Sequence, residues 1–265
     1  MRDARAIIYG EIKAGWTYRA GIFLAAFYGP IYITIFYFLW RAVFSHTPGG
    51  TVNGMDFTST VTYLTIARLI YGLFHSYIAW EMFWTVRSGN LILLMCRPMG
   101  FMYYYVARWL GGQILTLTII TIPNIIFVYF FIPVDIHFTT MSLLFIPSLI
   151  LGLIIGFALD YIGGTIAFYT ESIYGVLVAM GVLMEFFSGQ LIPVAFFPGV
   201  LKNVAMLLPF QASINTPVLI LMNPGMGLKE SLPMILVQLF WAAALILFAM
   251  FFFSRASRKV TVNGG

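Results

Sequence analysis

From Met99 to Ile132 the chain carries a single charged residue, Arg108. Comparable apolar runs occupy Ala20–Phe44, Thr58–Thr85, Thr139–Tyr169, Ser172–Leu191 and Leu232–Phe253. About 20 apolar residues suffice for a helix to cross a hydrocarbon layer of roughly 30 Å. Lipid leaves backbone amides and carbonyls no partner outside the segment, so such runs must be helical. The spacing therefore predicts an all-α integral membrane protein with six transmembrane helices in one membrane domain, 1–265. Composition agrees: 61% of residues are hydrophobic and 9% charged, where soluble domains carry about a quarter charged.

Two stretches depart from plain spans. Met1–Arg19 is mixed, with Ile8, Ile12 and Trp16 at i, i+4 spacing and Arg5 and Arg19 intruding on that stripe. This segment, 1–19, reads either as an interfacial helix along the cytoplasmic leaflet or as a basic tail. The run that follows exceeds the apolar core of a signal peptide, so no cleavable signal is expected. The second is Ile192–Ser231 (192–231), which follows the fifth span and is broken by Pro193, Pro198 and Pro209 after Gly189. Irregular backbone at membrane depth persists only where protein or water satisfies it, which marks this segment as functional. Pro198 suits a position near N1 of a helix. Ser45–Phe57 reads as a polar loop with a Pro48-Gly49-Gly50 turn, and Pro30 and Pro123 sit inside the first and third spans.

Basic residues set the orientation. Arg2, Arg5, Lys13, Arg19, Arg87, Arg97, Arg255, Arg258 and Lys259 fall on one face of a six-span arrangement, and Arg41, Lys202 and Lys229 on the other. The positive-inside rule places both termini and the Val86–Pro98 loop in the cytoplasm and Ile192–Ser231 outside. The net charge of +5 follows this topology and gives no reason to expect nucleic-acid binding.

Ionisable groups within spans cost roughly 2.5–3.5 kcal/mol each on insertion scales. At about 1.5 Å per residue, Arg68 and Glu185 lie roughly 27 Å and 20 Å from their cytoplasmic helix ends. They either line a path between helices, form a structural pair that locks two helices, or face water as unrelated charges. Gly152, Gly156, Asp160 and Gly164 follow one another at i+4 on the fourth span. Such a small-residue face admits a close helix, which would bury Asp160, and Arg108 at similar depth is its natural partner. Glu81 and Glu171 are expected near water at cytoplasmic ends, and His75 is expected to be a packing residue. In the Val86–Pro98 loop (86–98), Leu91, Leu94 and Met95 share a helical face that either has a partner or lies on the membrane.

Ser188-Gly189-Gln190-Leu191-Ile192-Pro193, Phe196-Phe197-Pro198, Leu208-Pro209-Phe210, the Arg87-Ser88-Gly89 to Arg97-Pro98 patch and the terminal Gly264-Gly265 together resemble the permease subunits of type-2 ABC transporters, in their six-helix exporter branch. The resemblance covers nearly the whole chain. It implies a membrane-surface helix at the start and a coupling helix in the 86–98 loop, with Arg87, Ser88, Gly89, Asn90, Leu91, Leu94 and Arg97 docking on an ATPase. It implies a translocation path near Arg68 and Glu185. It also implies two short re-entrant helices between the fifth and sixth spans that lid the outer exit, with Gln190, Pro193, Phe196, Phe197 and Pro198 as its gate; an interfacial aromatic belt explains the same phenylalanines. The partners it implies are a separate ABC ATPase subunit carrying ATP and Mg, a second permease chain, identical or paralogous, and the lipid bilayer of a prokaryotic plasma membrane.

The chain has no G-x-x-x-x-G-K-[ST] sequence of its own, so any nucleotide site belongs to another polypeptide. It has one cysteine, Cys96, and its histidines, His46, His75 and His137, fall on separate segments. No cofactor, metal or catalytic role is expected of it. The rival function is a secondary transporter or channel driven by an ion gradient, which an inverted repeat would favour, and none is visible.

Overall fold

The computed structural model describes residues 2–17, 19–74, 77–223 and 225–258. His75, Lys259 and Gly264-Gly265, which figure above, lie outside the described residues. The chain begins with helix α1 (Arg2–Thr17) and α2 (Arg19–Ser45). A two-stranded hairpin follows, β1 (Thr51–Val52) and β2 (Met55–Asp56), paired Thr51↔Asp56 and Val52↔Met55. Its two-residue connection is Asn53-Gly54, both with positive φ, which is the turn whose twist suits a hairpin. The turn at Pro48-Gly49-Gly50 therefore leads into a hairpin rather than through a plain loop.

Next come α3 (Phe57–Leu73), α4 (Ile78–Arg87) and α5 (Leu91–Met95). Asp56 caps α3 by accepting from the Ser59 amide at 2.9 Å. The sequence reading runs Thr58–Thr85 as one helix, and the structure breaks it between Leu73 and Ile78. Then α6 (Phe101–Leu115) passes through a π-helical turn, Thr116–Thr121, into α7 (Ile122–Phe131). Pro123 explains the turn: proline cannot donate and clashes with the preceding turn of a regular helix, and one extra residue per turn accommodates it. Finally α8 (Phe145–Thr165), α9 (Tyr174–Phe187), α10 (Gly199–Leu207), α11 (Pro209–Met222) and α12 (Leu228–Ser257) complete the chain.

The protein is all-α in its membrane elements. Four helical stretches are long and apolar enough to cross a membrane: Phe23–Ser45, Phe101–Phe131, Thr140–Phe168 and Leu228–Ser257. A fifth arises if α10 and α11, bent 98° from each other, count as one span. The outer faces are apolar, as lipid contact requires: Leu24, Phe27 and Ile31 on α2 and Leu236, Phe240 and Phe251 on α12 are all exposed. Helix α9 has 14 residues, about 21 Å at 1.5 Å per residue.

The middle of the bundle is α11. Most of its residues are buried, and it packs on α8, α12 and α3. The segment expected as an outer lid is thus partly a core helix. Its polar side chains make this tenable by bonding to neighbours. Asn215 Oδ1 accepts from the Tyr63 hydroxyl of α3 at 2.7 Å. Gln238 of α12 donates to the Ala212 carbonyl at 2.7 Å and the Ser148 carbonyl at 3.1 Å, and its Oε1 accepts from Ser148 Oγ at 2.8 Å. Gln238 therefore ties α8, α11 and α12 together with its amide fully paired.

The small face of α8 sits where helices come closest. A Cβ on Gly164 would stand 2.9 Å from the Ala79 Cα of α4, one on Gly152 would strike the Ser213 carbonyl of α11, and one on Gly156 the Phe74 ring. Replacing Gln238 by Leu leaves Ser148 Oγ and the Ala212 carbonyl without their present partner, at a cost of about 2 kcal/mol. A lowered thermal midpoint of the purified protein, read by size-exclusion fluorescence after heating, is the expected result.

Candidate translocation cleft

The last turns of α3, the π turn in the third run and the end of α9 all face one cavity. It measures about 370 Å³ and lies between α2, α3, the π turn, α7 and α9, with Arg68, Tyr71, Thr121, Asn124 and Glu185 in its wall. Arg68 and Glu185, separate in sequence, thus share one cavity.

Their arrangement is not the simple pair that sequence allows. Among the described residues the ion pairs are Arg108–Glu11, Arg108–Glu81 and His137–Asp135, and Arg68 is held otherwise. Its guanidinium carbon stands 4.8, 4.3 and 5.3 Å from the ring centres of Tyr28, Tyr32 and Tyr71. Ring quadrupoles attract a cation at this range, so three tyrosines stand in for a counter-ion. Arg68 is only 8% exposed, yet its Nη1 has no hydrogen-bond partner. The Tyr71 hydroxyl is within reach of Glu185.

Asn124 adds a second constraint. Its Nδ2 donates to Ile120 O at 2.6 Å and to Ala26 O on α2 at 3.3 Å, joining the π turn to α2. A Cβ on Gly29 would collide with this amide, so α2 can approach only because residue 29 lacks a side chain. Asn124 Oδ1 and Thr121 Oγ1 are buried beside the cavity without partners. Sequence reasoning missed the tyrosine cage, Thr121 and Asn124. The available signals were the Pro123-Asn124 pair inside an apolar run and the i, i+4 spacing of Tyr28 and Tyr32.

A neighbouring cavity of about 320 Å³ shares Ala25 and Ile120 with the first and is walled by Glu11, Glu81 and Arg108. Here the sequence reading needs correction. Arg108 was matched with Asp160; instead it bonds Glu11 Oε2 at 2.6–2.8 Å and pairs with Glu81. Asp160 accepts from the Ala79 amide at 3.4 Å, at the start of α4, where helix N–H groups have no partner within the helix. The acid thus lies at the renewed helix after the break. Glu81 is not at a wet helix end but three-quarters shielded in the Arg108 triad.

The triad also orients α1. A Cβ on Gly111 of α6 would stand 3.0 Å from the Ile8 carbonyl and 2.8 Å from Glu11 Cβ, so the helices nearly touch. The covered face of α1 is Ala4, Ile7, Ile8, Glu11, Ile12 and Gly15, while Trp16 is exposed. Only part of the expected Ile8, Ile12, Trp16 stripe is therefore an inner face.

At the far end of α9, Gly189 has φ +85° and a Cβ there would stand 2.9 Å from Val194 and overlap the Tyr63 hydroxyl. Only glycine fits that left-handed, crowded position. Gln190, Pro193 and Phe197 are buried, Phe196 is half-buried and Pro198 is exposed. Phe197 stacks on Phe186 at 5.0 Å and Phe196 meets Trp40 at 5.4 Å.

The 86–98 loop lies on the opposite side of the molecule's second run. Arg87 donates to the Glu171 carbonyl at 2.8 Å, pinning the loop to the turn after α8. Ser88 and Asn90 are exposed, Gly89 has φ +74°, and Arg97 stands over Tyr104. In α5, Leu91 is buried at 2% exposure while Ile92, Leu93 and Met95 are exposed, Leu93 at 67%. The outward apolar face is therefore Ile92, Leu93 and Met95, with Leu94 half-buried and Leu91 as an anchor. The sequence reading of Leu91, Leu94 and Met95 followed ideal helical spacing, and a five-residue helix is too short to be oriented by spacing alone.

Long apolar helices with lipid-facing outer sides define a multi-pass membrane protein, here with charged residues in a cavity between its helices. The family model for ABC-2 family transporter proteins matches residues 31–264, and the chain belongs to that family. No curated protein and no solved structure matches the chain. The family makes it a transmembrane transport subunit of the ABC class.

Substituting Arg108 by Leu leaves Glu11 and Glu81 facing each other without their cation. Removing one partner from such a shielded cluster costs roughly 3–5 kcal/mol. The expected readout is faster proteolysis at α1 than in wild type, with the Glu11→Gln variant less affected.

Proposed function

We propose that this chain is the permease subunit of an ATP-driven exporter, forming half of a translocation pathway and coupled to a separate ATPase. A second permease chain, identical or paralogous, completes the path, and ATP and Mg act on the ATPase. The membrane is a prokaryotic plasma membrane, with both termini cytoplasmic.

A six-span topology underlies this reading. The spans are α2, the broken α3–α4 pair, α6–α7, α8, α9 and α12, with α10 and α11 re-entrant between the last two and α1 at the cytoplasmic interface. Two long-range contacts support it. Asn53 in the hairpin donates to the Ala195 carbonyl at 3.1 Å, so the 45–57 loop and the 188–198 segment meet on one side. Arg87 and the Glu171 carbonyl bring the 86–98 loop and the 169–173 turn together on the other. A six-span path requires both meetings. Helix α9 is shorter than the roughly 30 Å core, and the compact Ser188–Pro198 segment makes up the remaining depth.

The observation that carries the coupling is α5: an apolar face of Ile92, Leu93 and Met95 turned away from the body of the protein, anchored by Leu91 and flanked by Arg87 and Arg97. Exposed apolar surface of this kind is stable in isolation only at a cost, and a partner cleft removes the cost. ATP-driven closure of two ATPases would push α5, and α4 and α6 on either side of it would carry that displacement to the cleft. Arg68 and Glu185 line the path, and Gln190, Pro193, Phe196, Phe197 and Pro198 gate its outer end.

The test is affinity purification of the chain from its native membrane in mild detergent. A soluble Walker-motif ATPase recovered near one-to-one supports the reading; a chain that comes alone in several detergents overturns it in favour of a gradient-driven transporter. Leu93→Asp should lower ATPase recovery about tenfold, the effect of losing roughly 1.4 kcal/mol of docking energy. Gly89→Val and Arg97→Ala should leave assembly intact and uncouple ATP hydrolysis from transport.

A further inference from the structure

Resting on the translocation reading, we infer that the Arg68–Glu185 cavity binds a zwitterion: a small headgroup carrying an anionic group and a protonated primary amine. Four observations converge on that chemistry. Arg68 is more than nine-tenths buried, and its Nη1 points at no acceptor in the protein. Buried donors without partners are rare, and each calls for a ligand or water. On the same wall, Asn124 Oδ1 and Thr121 Oγ1 are equally unpartnered, and the first of these can only accept. Glu185 faces the same space without forming an ion pair to Arg68.

Two opposite charges held apart in one cavity, Arg68 with an unpartnered Nη1 and Glu185 with the Tyr71 hydroxyl in reach, form a template for a dipole of the reverse sense. An anion alone would satisfy Arg68 but meet the Glu185 carboxylate. A cation alone would satisfy Glu185 and the Asn124 oxygen but meet Arg68, already charge-balanced only by tyrosine rings. A zwitterion satisfies both ends, and like-charge contact within a shielded site costs too much for either simple ion to compete. An amine with N–H groups suits this site best, because the Glu185 carboxylate accepts hydrogen bonds and a quaternary ammonium has none to donate. The space of about 370 Å³ is in the range of small-molecule pockets, and the Tyr28 and Tyr71 rings offer apolar faces to the methylenes joining the two charges.

One source of such a group is phosphatidylethanolamine, and another is a water-soluble zwitterion of the same headgroup. The experiment uses the full chain with whatever co-purifies, in a neutral maltoside detergent. Binding of dihexanoyl phosphatidylethanolamine, phosphatidylcholine and phosphatidylglycerol, and of free phosphoethanolamine, is measured by titration calorimetry and native mass spectrometry. The expected result is phosphatidylethanolamine bound at least about tenfold tighter than the other two lipids. Arg68→Gln should reduce that binding by about tenfold or more. Glu185→Gln should narrow the preference over phosphatidylglycerol.

Gly72→Leu supplies a variant that folds independently of the charges. Gly72 lines the cavity and a Cβ there meets nothing within 4 Å, so the leucine should occupy part of the space and block binding. Saturable binding of free phosphoethanolamine with the same loss in Arg68→Gln supports the inference with the soluble headgroup as ligand; binding of the lipid alone supports it with the lipid as ligand. Equal affinity for all three lipids, or binding unchanged in both Arg68→Gln and Gly72→Leu, overturns it. ATPase recovery from the same preparations separates the two readings. Failed headgroup selectivity with the ATPase present removes this ligand only, while an absent ATPase removes the exporter.

Discussion

A helix that crosses lipid has nowhere to send an unpaired amide or carbonyl, so every interruption must be met by protein or enclosed water. The interruptions here are the gap between α3 and α4, the π turn before Pro123, the Ser188–Pro198 segment and the 98° bend before Pro209. Each is accompanied by a buried or half-buried polar group. Asp160 lies at the start of α4, Asn124 bridges the π turn to α2, Ser188 and Gln190 are buried under the end of α9, and Gln211 donates to the Met206 carbonyl beside the bend. Part of the buried polar content of this apolar chain is thus concentrated where its helices fail.

That concentration makes the cleft. Regular helices packed through Leu, Ile and Phe would close against one another, leaving no cavity of useful size. The π turn displaces backbone from the ideal path, and the space between it, α2, α3 and α9 holds Arg68 and Glu185. Tyrosine rings stabilise Arg68 without neutralising it. A direct salt bridge would have been self-sufficient, and the cage leaves one nitrogen available. By contrast Arg108, with Glu11 and Glu81 on it, is saturated, and its work is to hold α1 against α6.

Sequence alone establishes the solvent in which this protein folds. Long runs without charge dictate helices in lipid, and Pro193, Pro198 and Pro209 dictate that the chain after the fifth run is irregular. The Arg68–Glu185 juxtaposition was readable as a matter of depth, since rise per residue converts position into height in a helix. The Arg108–Asp160 match used the same arithmetic and failed, because equal depth says nothing about which faces meet. Glu11 lies on a helix whose contact with α6 depends on Gly111, a feature that no count of residues reveals.

What only the tertiary structure decided is which faces meet and which groups remain unpaired. Helix α11 carries Gln211, Asn215 and Thr216 and is expected from the resemblance as part of an outer lid, yet it packs in the core, where Tyr63 and Gln238 reach it from other helices. The three tyrosines around Arg68 come from two helices. The outward turn of Leu93 follows from Leu91 being buried beneath it. Hydrophobicity fixes depth because it is a property of each residue in its solvent. Pairing is a property of two residues brought together by packing, and packing is settled only when all the helices are present.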